Sequence, residues 1–157
     1  MSAPSFKPGY RHLRKGRFSH PGGLYLLTTV THQRRRYFED WSIASVASSF
    51  IHDPRTWLPH ANLLCWVLMP DHWHGLVQLQ EQGDLQVVMQ RMKGIVARRV
   101  GQEVKINGPL WAPGFHDRAL RREEDVLAVA RYIVANPIRA KLVRRVGDYP
   151  FWNAIWL

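Results

Sequence analysis

The chain has 157 residues, 46% of them hydrophobic, which fits one compact domain with a real core and leaves little room for a second. Lys and Arg number 22 against 12 Asp and Glu, a net charge of +10. A metabolic enzyme rarely needs that balance; a polyanionic partner explains it, nucleic acid before an acidic membrane surface, with a merely basic solvated face as the bland alternative. The single cysteine, Cys65, excludes an intrachain disulfide and a cysteine-rich zinc site and reads as a small core residue. No run approaches the ~20 apolar residues of a membrane span, and Leu24–Val30 is too short for a signal sequence. The expected location is cytoplasmic, beside the nucleoid.

Residues 1–23 are rich in Pro, Gly and basic side chains and read as an extended arm, either lying along a phosphate backbone through Arg11, Arg14 and Lys15 or serving only as a solubilising tail. Leu24–Thr31 is β-branched and aromatic, hence a strand. A basic turn with Arg34, Arg35 and Arg36 follows. Trp41–His52 has apolar residues at 43, 46, 47 and 50, the spacing of a helix that Pro54 and Pro59 end. Leu63–Leu68 and His72–Leu79 are two further strands joined at Met69-Pro70-Asp71. Asp84 is an N-cap for a helix with Leu85, Val88, Met89, Met92, Ile95 and Val96 inward, and Arg91, Lys93, Arg98 and Arg99 on its flanks and far side.

Asn107-Gly108-Pro109 is a turn, and Leu110–Arg118 a last strand interrupted by Pro113-Gly114. Glu123, Glu124 and Asp125 suit the first turn of a helix that reaches about Asn136 and stops at Pro137. The tail, residues 151–157, is apolar and caps the core, covers a site or contacts a second copy. The order β, α, β, β, α, β and a further helix predicts an α+β fold: a ferredoxin-like split βαβ with an antiparallel sheet of four to five strands, helices on one face, and a C-terminal helix. The other face, or an end of the sheet, remains for a ligand.

Two features carry chemistry. His72 and His74 alternate with Trp73 along a strand, so both imidazoles point to one face, about 7 Å apart at Cβ, while Trp73 turns to the other. Such a pair either converges on a cation or is coincidental, and two ligands alone are too few. On the last helix, Tyr132 and Asn136 fall one turn apart on the edge of an apolar stripe of Val126, Val129, Ala130 and Ile133. A hydroxyl and an amide on one edge can address a single site; a boundary tyrosine followed by an ordinary Asn before Pro is the plain reading.

Taken together, "MPDHWHGLV", "GPLWAPGFHDRALRREED" and "ARYIVANPIRAKLV" resemble the REP-associated tyrosine transposases, bacterial relatives of the single-tyrosine HUH transposases of insertion sequences. The resemblance runs from about Gly23 to Pro150, with residues 24–150 as the HUH domain. It implies that His72 and His74 are the paired metal ligands, that Asn136 completes the metal site, that Tyr132 is the nucleophile and that the cation is Mg²⁺ or Mn²⁺. It further implies that the substrate is single-stranded DNA with a small palindromic hairpin and a short tetranucleotide beside it. The enzyme would work as a monomer or a homodimer. A binding module of the same fold without cleavage is the alternative.

Two positions depart from the family pattern: Asp71 stands where many relatives have Asn, and Trp73 is bulkier than the usual aliphatic residue. Asp71 either supports a histidine ring or belongs to the turn. The resemblance implies attack by Tyr132 on a phosphodiester, giving a 5′-phosphotyrosine and a free 3′-OH. His116 or Asp117 could help deprotonate it, or form a strand-end polar pair. Arg34, Arg35, Arg36, Arg91, Lys93, Arg98, Arg118, Arg121 and Arg122 are the further candidates for phosphate contact, and Tyr37 and Trp111 for base stacking.

Overall fold

A computed structural model describes residues 22–121 and 126–156. The N-terminal arm, with Arg11, Arg14 and Lys15, lies outside the described residues, as do Arg122 and the acids expected to open the last helix. The elements are β1 (Leu24–Val30), α1 (Trp41–His52), β2 (Ala61–Met69), β3 (His72–Leu79), α2 (Leu85–Glu103), β4 (His116–Ala119), α3 (Val126–Val134), α4 (Asn136–Arg139) and β5 (Trp152–Ala154). The strands form one sheet in the order β4-β1-β3-β2-β5, and every pairing is antiparallel. The first four strands with α1 and α2 make the split βαβ arrangement expected from the sequence.

Both long helices start where an aspartate accepts from the first free backbone N–H groups. Asp40 accepts from Ser42 and Ile43, and Asp84 from Gln86 and Val87. β2 and β3 are joined by a two-residue loop, Pro70-Asp71, so Met69 pairs with His72. This register aligns Val30, His72 and Met69 in one row across the sheet, and Thr28, His74 and Val67 in the next.

The two faces of the sheet carry different layers. α1 and α2 pack together on the face of Trp73, which is fully buried and stacks on Trp57 with ring centroids 5.7 Å apart. Trp57 follows α1 and donates from Nε1 to the Ile51 carbonyl at 2.8 Å. α3 packs on the opposite face, against β2, where the Cys65 thiol donates to the Ala130 carbonyl. Burial pushes that thiol up to about 12, so it behaves as a core group.

Three boundaries differ from the sequence expectation. The strand predicted from Leu110 begins only at His116: Gly114 takes φ +76, a left-handed turn that breaks the pleat, and upstream Trp111 makes just one bridge, to Thr31. The last helix does not run through to Asn136. α3 ends at Val134, and Asn136 opens the short α4 with Pro137 in its first turn, where a missing N–H costs nothing. The proline restarts a helix rather than merely ending one. The tail is part of the sheet, since Trp152–Ala154 pair with β2 as β5 and Phe151 is buried.

Candidate active site

His72 and His74 lie on the α3 face of the sheet, as the strand alternation predicts. Their rings meet edge to face with centroids 4.7 Å apart. Each is held from Nδ1. His72 Nδ1–H donates to Asp71 Oδ1 at 2.7 Å, which resolves the two readings of Asp71 in favour of histidine support. His74 Nδ1 shares a 2.7 Å hydrogen bond with Thr28 Oγ1, its direct neighbour on β1. The tautomer that donates to Thr28 leaves the Nε2 lone pair of His74 outward.

Burial drives the His74 imidazole down to about 3, and the nearby charges of His72, Arg139, Arg34 and His116 add to it. The ring is therefore neutral near neutral pH. The hydrogen bond from His72, with the charges of His72, Arg34 and Arg36, holds the Asp71 carboxyl below the usual carboxylate range against the opposing effect of burial.

Tyr132 sits on α3, its side chain exposed. The Arg139 guanidinium covers its ring, 3.8 Å from the centroid, and Arg139 Nη2 donates to the Tyr132 carbonyl at 2.7 Å. One side chain of α4 thus grips both the ring and the backbone of a residue on α3. Arg139 is also among the charges felt at His74, and α3 itself packs on the histidine face of the sheet. Asn136, half-buried, opens α4, and α4 packs against β2. The break between α3 and α4 therefore lies between Tyr132 and Asn136, which do not share one continuous helix edge.

The basic residues divide. Arg118 lies on β4 opposite Leu26 and is exposed on the histidine side of the sheet, with exposed Arg121 just beyond it. Arg91 and Arg98 belong to the α1–α2 layer behind the sheet, where Arg91 Nη2 donates to the Arg55 carbonyl. Lys93 does not suit phosphate contact: its Nζ donates to the carbonyls of Ala112 and Gly114, both at 2.7 Å, and closes the 111–115 loop. Arg34 Nε pairs with Asp71 Oδ2 at 3.2 Å, Arg35 donates to the Tyr37 hydroxyl, and Arg36 pairs with Glu39. Trp111 is buried against Phe38, so it packs rather than stacks on bases.

His116 lies across from Thr28, close enough for its charge to be felt at His74. Sequence reasoning gave no role to Arg139 or Thr28; the arginine two residues after Asn136-Pro137 was the available signal for the first, and strand register for the second. A cavity of about 730 Å³ opens at the other end of β2 and β3, beside β5, and is lined by residues such as Trp57, Leu63, Trp66 and Gln78; none of the candidate site residues lines it.

The chain resembles known proteins over most of its length. It is similar to a REP-associated tyrosine transposase of Escherichia coli strain K12, 29% identical over 87 residues, which make up 55% of this chain and 50% of that protein. The match thus spans about half the length of that relative. A Haemophilus influenzae protein assigned to the same REP-associated group is 24% identical over 140 residues, 83% of this chain and 78% of its own. Among solved structures, that of a REP-associated tyrosine transposase bound to a REP hairpin superposes with a TM-score of 0.67 at 23% identity, over 87% of this chain and 79% of that one. At that identity the likeness is one of fold, with the same α+β sheet. The model of the family described as "Transposase IS200 like" matches residues 22–136, a span that includes both histidines, Tyr132 and Asn136. The chain belongs to the IS200-like transposase family.

Proposed function

We propose that this chain cleaves and rejoins single-stranded DNA beside a REP-type hairpin, with Tyr132 as the nucleophile. The observation that carries the reading is the Arg139 clamp on Tyr132, a residue of the helix that packs on the face of the sheet where His72 and His74 meet. The name of the hairpin-bound structural neighbour supports the choice of substrate class.

The donor set fits a divalent cation, Mg²⁺ or Mn²⁺. His72 Nε2 is buried and has no hydrogen-bond partner among the described residues, an arrangement that costs about 1–3 kcal/mol unless a ligand satisfies it. Its Nδ1 proton is committed to Asp71, so Nε2 offers a lone pair. Among the described residues no three His, Cys, Asp or Glu side chains converge; Asn136, the ligand that the family resemblance implies, would supply an amide oxygen as a further donor, with water. A cation held there would supply Lewis-acid polarisation of the scissile phosphate.

The chain's own residues do the rest. Tyr132 Oη gives up its proton to water and attacks phosphorus, an O–P bond forms, and the bond to the 3′ oxygen breaks with its electron pair, that oxygen taking a proton from water. The protein then carries a 5′-phosphotyrosine and the DNA a free 3′-OH. Attack by a second 3′-OH on the phosphotyrosine reverses the bond changes and returns the tyrosine, so two matched transfers replace one hydrolysis. Arg139 keeps the ring from swinging, which saves orientational entropy at the moment of attack. Arg118 and Arg121 give the same face a positive rim.

The test is a denaturing gel of the protein mixed with labelled single-stranded hairpin DNA and Mg²⁺ or Mn²⁺. A covalent adduct is expected, absent in Tyr132→Phe. Binding with no adduct across several hairpins and both metals makes the chain a hairpin-binding module instead. Equal cleavage of duplex DNA overturns the single-strand assignment.

A further inference from the structure

The turn after β1 is built in an unusual way. Gln33 and Arg34 both have φ +55, the left-handed region that costs a non-glycine residue roughly 1–3 kcal/mol, and such strain persists only where its surroundings fix it. Here the surroundings are the β2–β3 hairpin loop. The Thr31 backbone N–H donates to the Asp71 carbonyl at 2.9 Å. Thr31 Oγ1, completely buried, lies 3.1 Å from that carbonyl and 2.6 Å from the Arg35 carbonyl. Phe38 N donates to the Pro70 carbonyl. The product of this stitching is the position of one side chain. Arg34 Nε lies 3.2 Å from Asp71 Oδ2, while the other oxygen of the same carboxylate takes the His72 Nδ1 proton at 2.7 Å.

The three groups form a chain, guanidinium to carboxylate to imidazole, ending at the buried Nε2 of His72, which has no hydrogen-bond partner among the described residues. A carboxylate with one oxygen anchored cannot rotate away from the ring it orients. Solvent reaches the Asp71 side chain only to 17% and the Arg34 side chain to 39%, so the pair is less screened than a surface ion pair. Arg34 therefore has a specific task in its present place, and basic character alone does not account for the strained backbone that puts it there.

We propose that Arg34 is a positioning residue of the cation site: through Asp71 it fixes the ring and tautomer of His72, and it is not a DNA phosphate contact. The proposal rests on the reading of His72 as a cation ligand, and the experiment separates the two.

Mn²⁺ is titrated into the full chain without DNA and free Mn²⁺ is followed by its paramagnetic resonance signal, with thermal unfolding recorded for every variant. Wild type is expected to take up Mn²⁺, and His72→Gln to lose it. Asp71→Ala is expected to weaken binding about 10- to 100-fold, the usual loss when the carboxylate behind a metal-bound histidine is removed. Arg34→Ala should weaken it about 10-fold, at the low end of that range, with Arg34→Lys recovering part of the loss because it restores a charge but not the guanidinium fork. In a second measurement, hairpin DNA binding in chelator, Arg34→Ala should match wild type in affinity and in salt dependence.

A wild type that binds no Mn²⁺ removes the cation site and this proposal with it. A wild type that binds Mn²⁺, with Arg34→Ala binding it equally well, overturns the proposal and leaves the site standing. A fall in hairpin affinity for Arg34→Ala in chelator, with the log–log salt slope reduced by about 0.7 to 0.9, identifies Arg34 as a phosphate contact and overturns the proposal.

Discussion

Gly75 is the position where packing and chemistry meet most tightly. Trp73 and Gly75 point to the same face of β3, and the indole of Trp73 folds over the glycine. A Cβ at residue 75 would lie 2.2 Å from Cη2 and 2.2 Å from Cζ2 of that ring. Carbon atoms in contact sit about 3.5–4.0 Å apart, so the ring must retreat by at least about 1.3 Å (~3.5 minus 2.2). It has nowhere to go, because Trp73 is fully buried and stacked on Trp57. Gly75→Ala should therefore cost about 3 kcal/mol, the upper part of the range for overpacking. For a chain of this length that lowers Tm by roughly 6–12 °C.

Differential scanning calorimetry or a urea titration measures this cost. The control is a double-mutant cycle with Trp73→Val, which removes the ring that clashes. In that background Gly75→Ala should cost less than about 0.5 kcal/mol, because the two residues are coupled through one contact. The reasoning is refuted if Gly75→Ala is as stable as wild type, or if it costs as much in the Trp73→Val background as alone. The same contact explains how a tryptophan fits between the two histidines: the glycine two residues later makes its space. The indole buries on the order of 200 Å², worth roughly 5 kcal/mol as an upper bound. That exceeds the ~1–3 kcal/mol cost of its Nε1, which has no partner among the described residues.

Three further outcomes are expected. Arg139→Ala should reduce covalent adduct formation about 100-fold through loss of nucleophile position, with little change in hairpin affinity; Arg139→Lys should not restore it, since a flexible ammonium cannot cover the ring and reach the Tyr132 carbonyl together. The metal-free protein should lose stability as pH falls from about 6.5 toward 3: the unfolded chain protonates His74 near its ordinary value, the folded chain only at about 3, so the unfolded state binds more protons in that window. By pH 5 the loss is at most about 2 kcal/mol, less because His74 is partly exposed, and unfolding of His74→Gln followed against pH should lack that component. Finally, replacing Arg118 and Arg121 by Ala should lower the log–log salt slope of hairpin binding by about 1.5 in a filter-binding assay. Replacing Arg91 and Arg98 should leave it unchanged, since those two lie behind the sheet.

Much of the fold is written in local patterns. β1, α1, β3 and the start of α2 follow from side-chain period and from Asp84 as a cap, and the shared face of His72 and His74 follows from strand alternation alone. The site was legible only in part, because its supports are pairings across long stretches of chain. Thr28 meets His74 through the β1–β3 register, and Arg34 meets Asp71 through two loops stitched at Thr31. Neither spacing has a local signature. Lys93 looked like one more cation on a basic helix; only the path of the 111–115 loop shows that two carbonyls occupy it. Proline ends helices, so Pro137 predicts a stop, but it also suits the first turn of a new helix, and only the folded chain decides between them. β5 has three residues, too few for a period, and exists because β2 offers an edge.

The most direct test of the account is the position of the covalent bond. The protein is incubated with single-stranded hairpin DNA and Mn²⁺, digested with nuclease and protease, and the nucleotide-bearing peptide is sequenced by mass spectrometry. The account predicts a 5′-phosphate ester on Tyr132 and a free 3′-OH on the released strand. A nucleotide on any other residue, or cleavage that leaves a 5′-phosphate on the DNA with no protein attached, would contradict it.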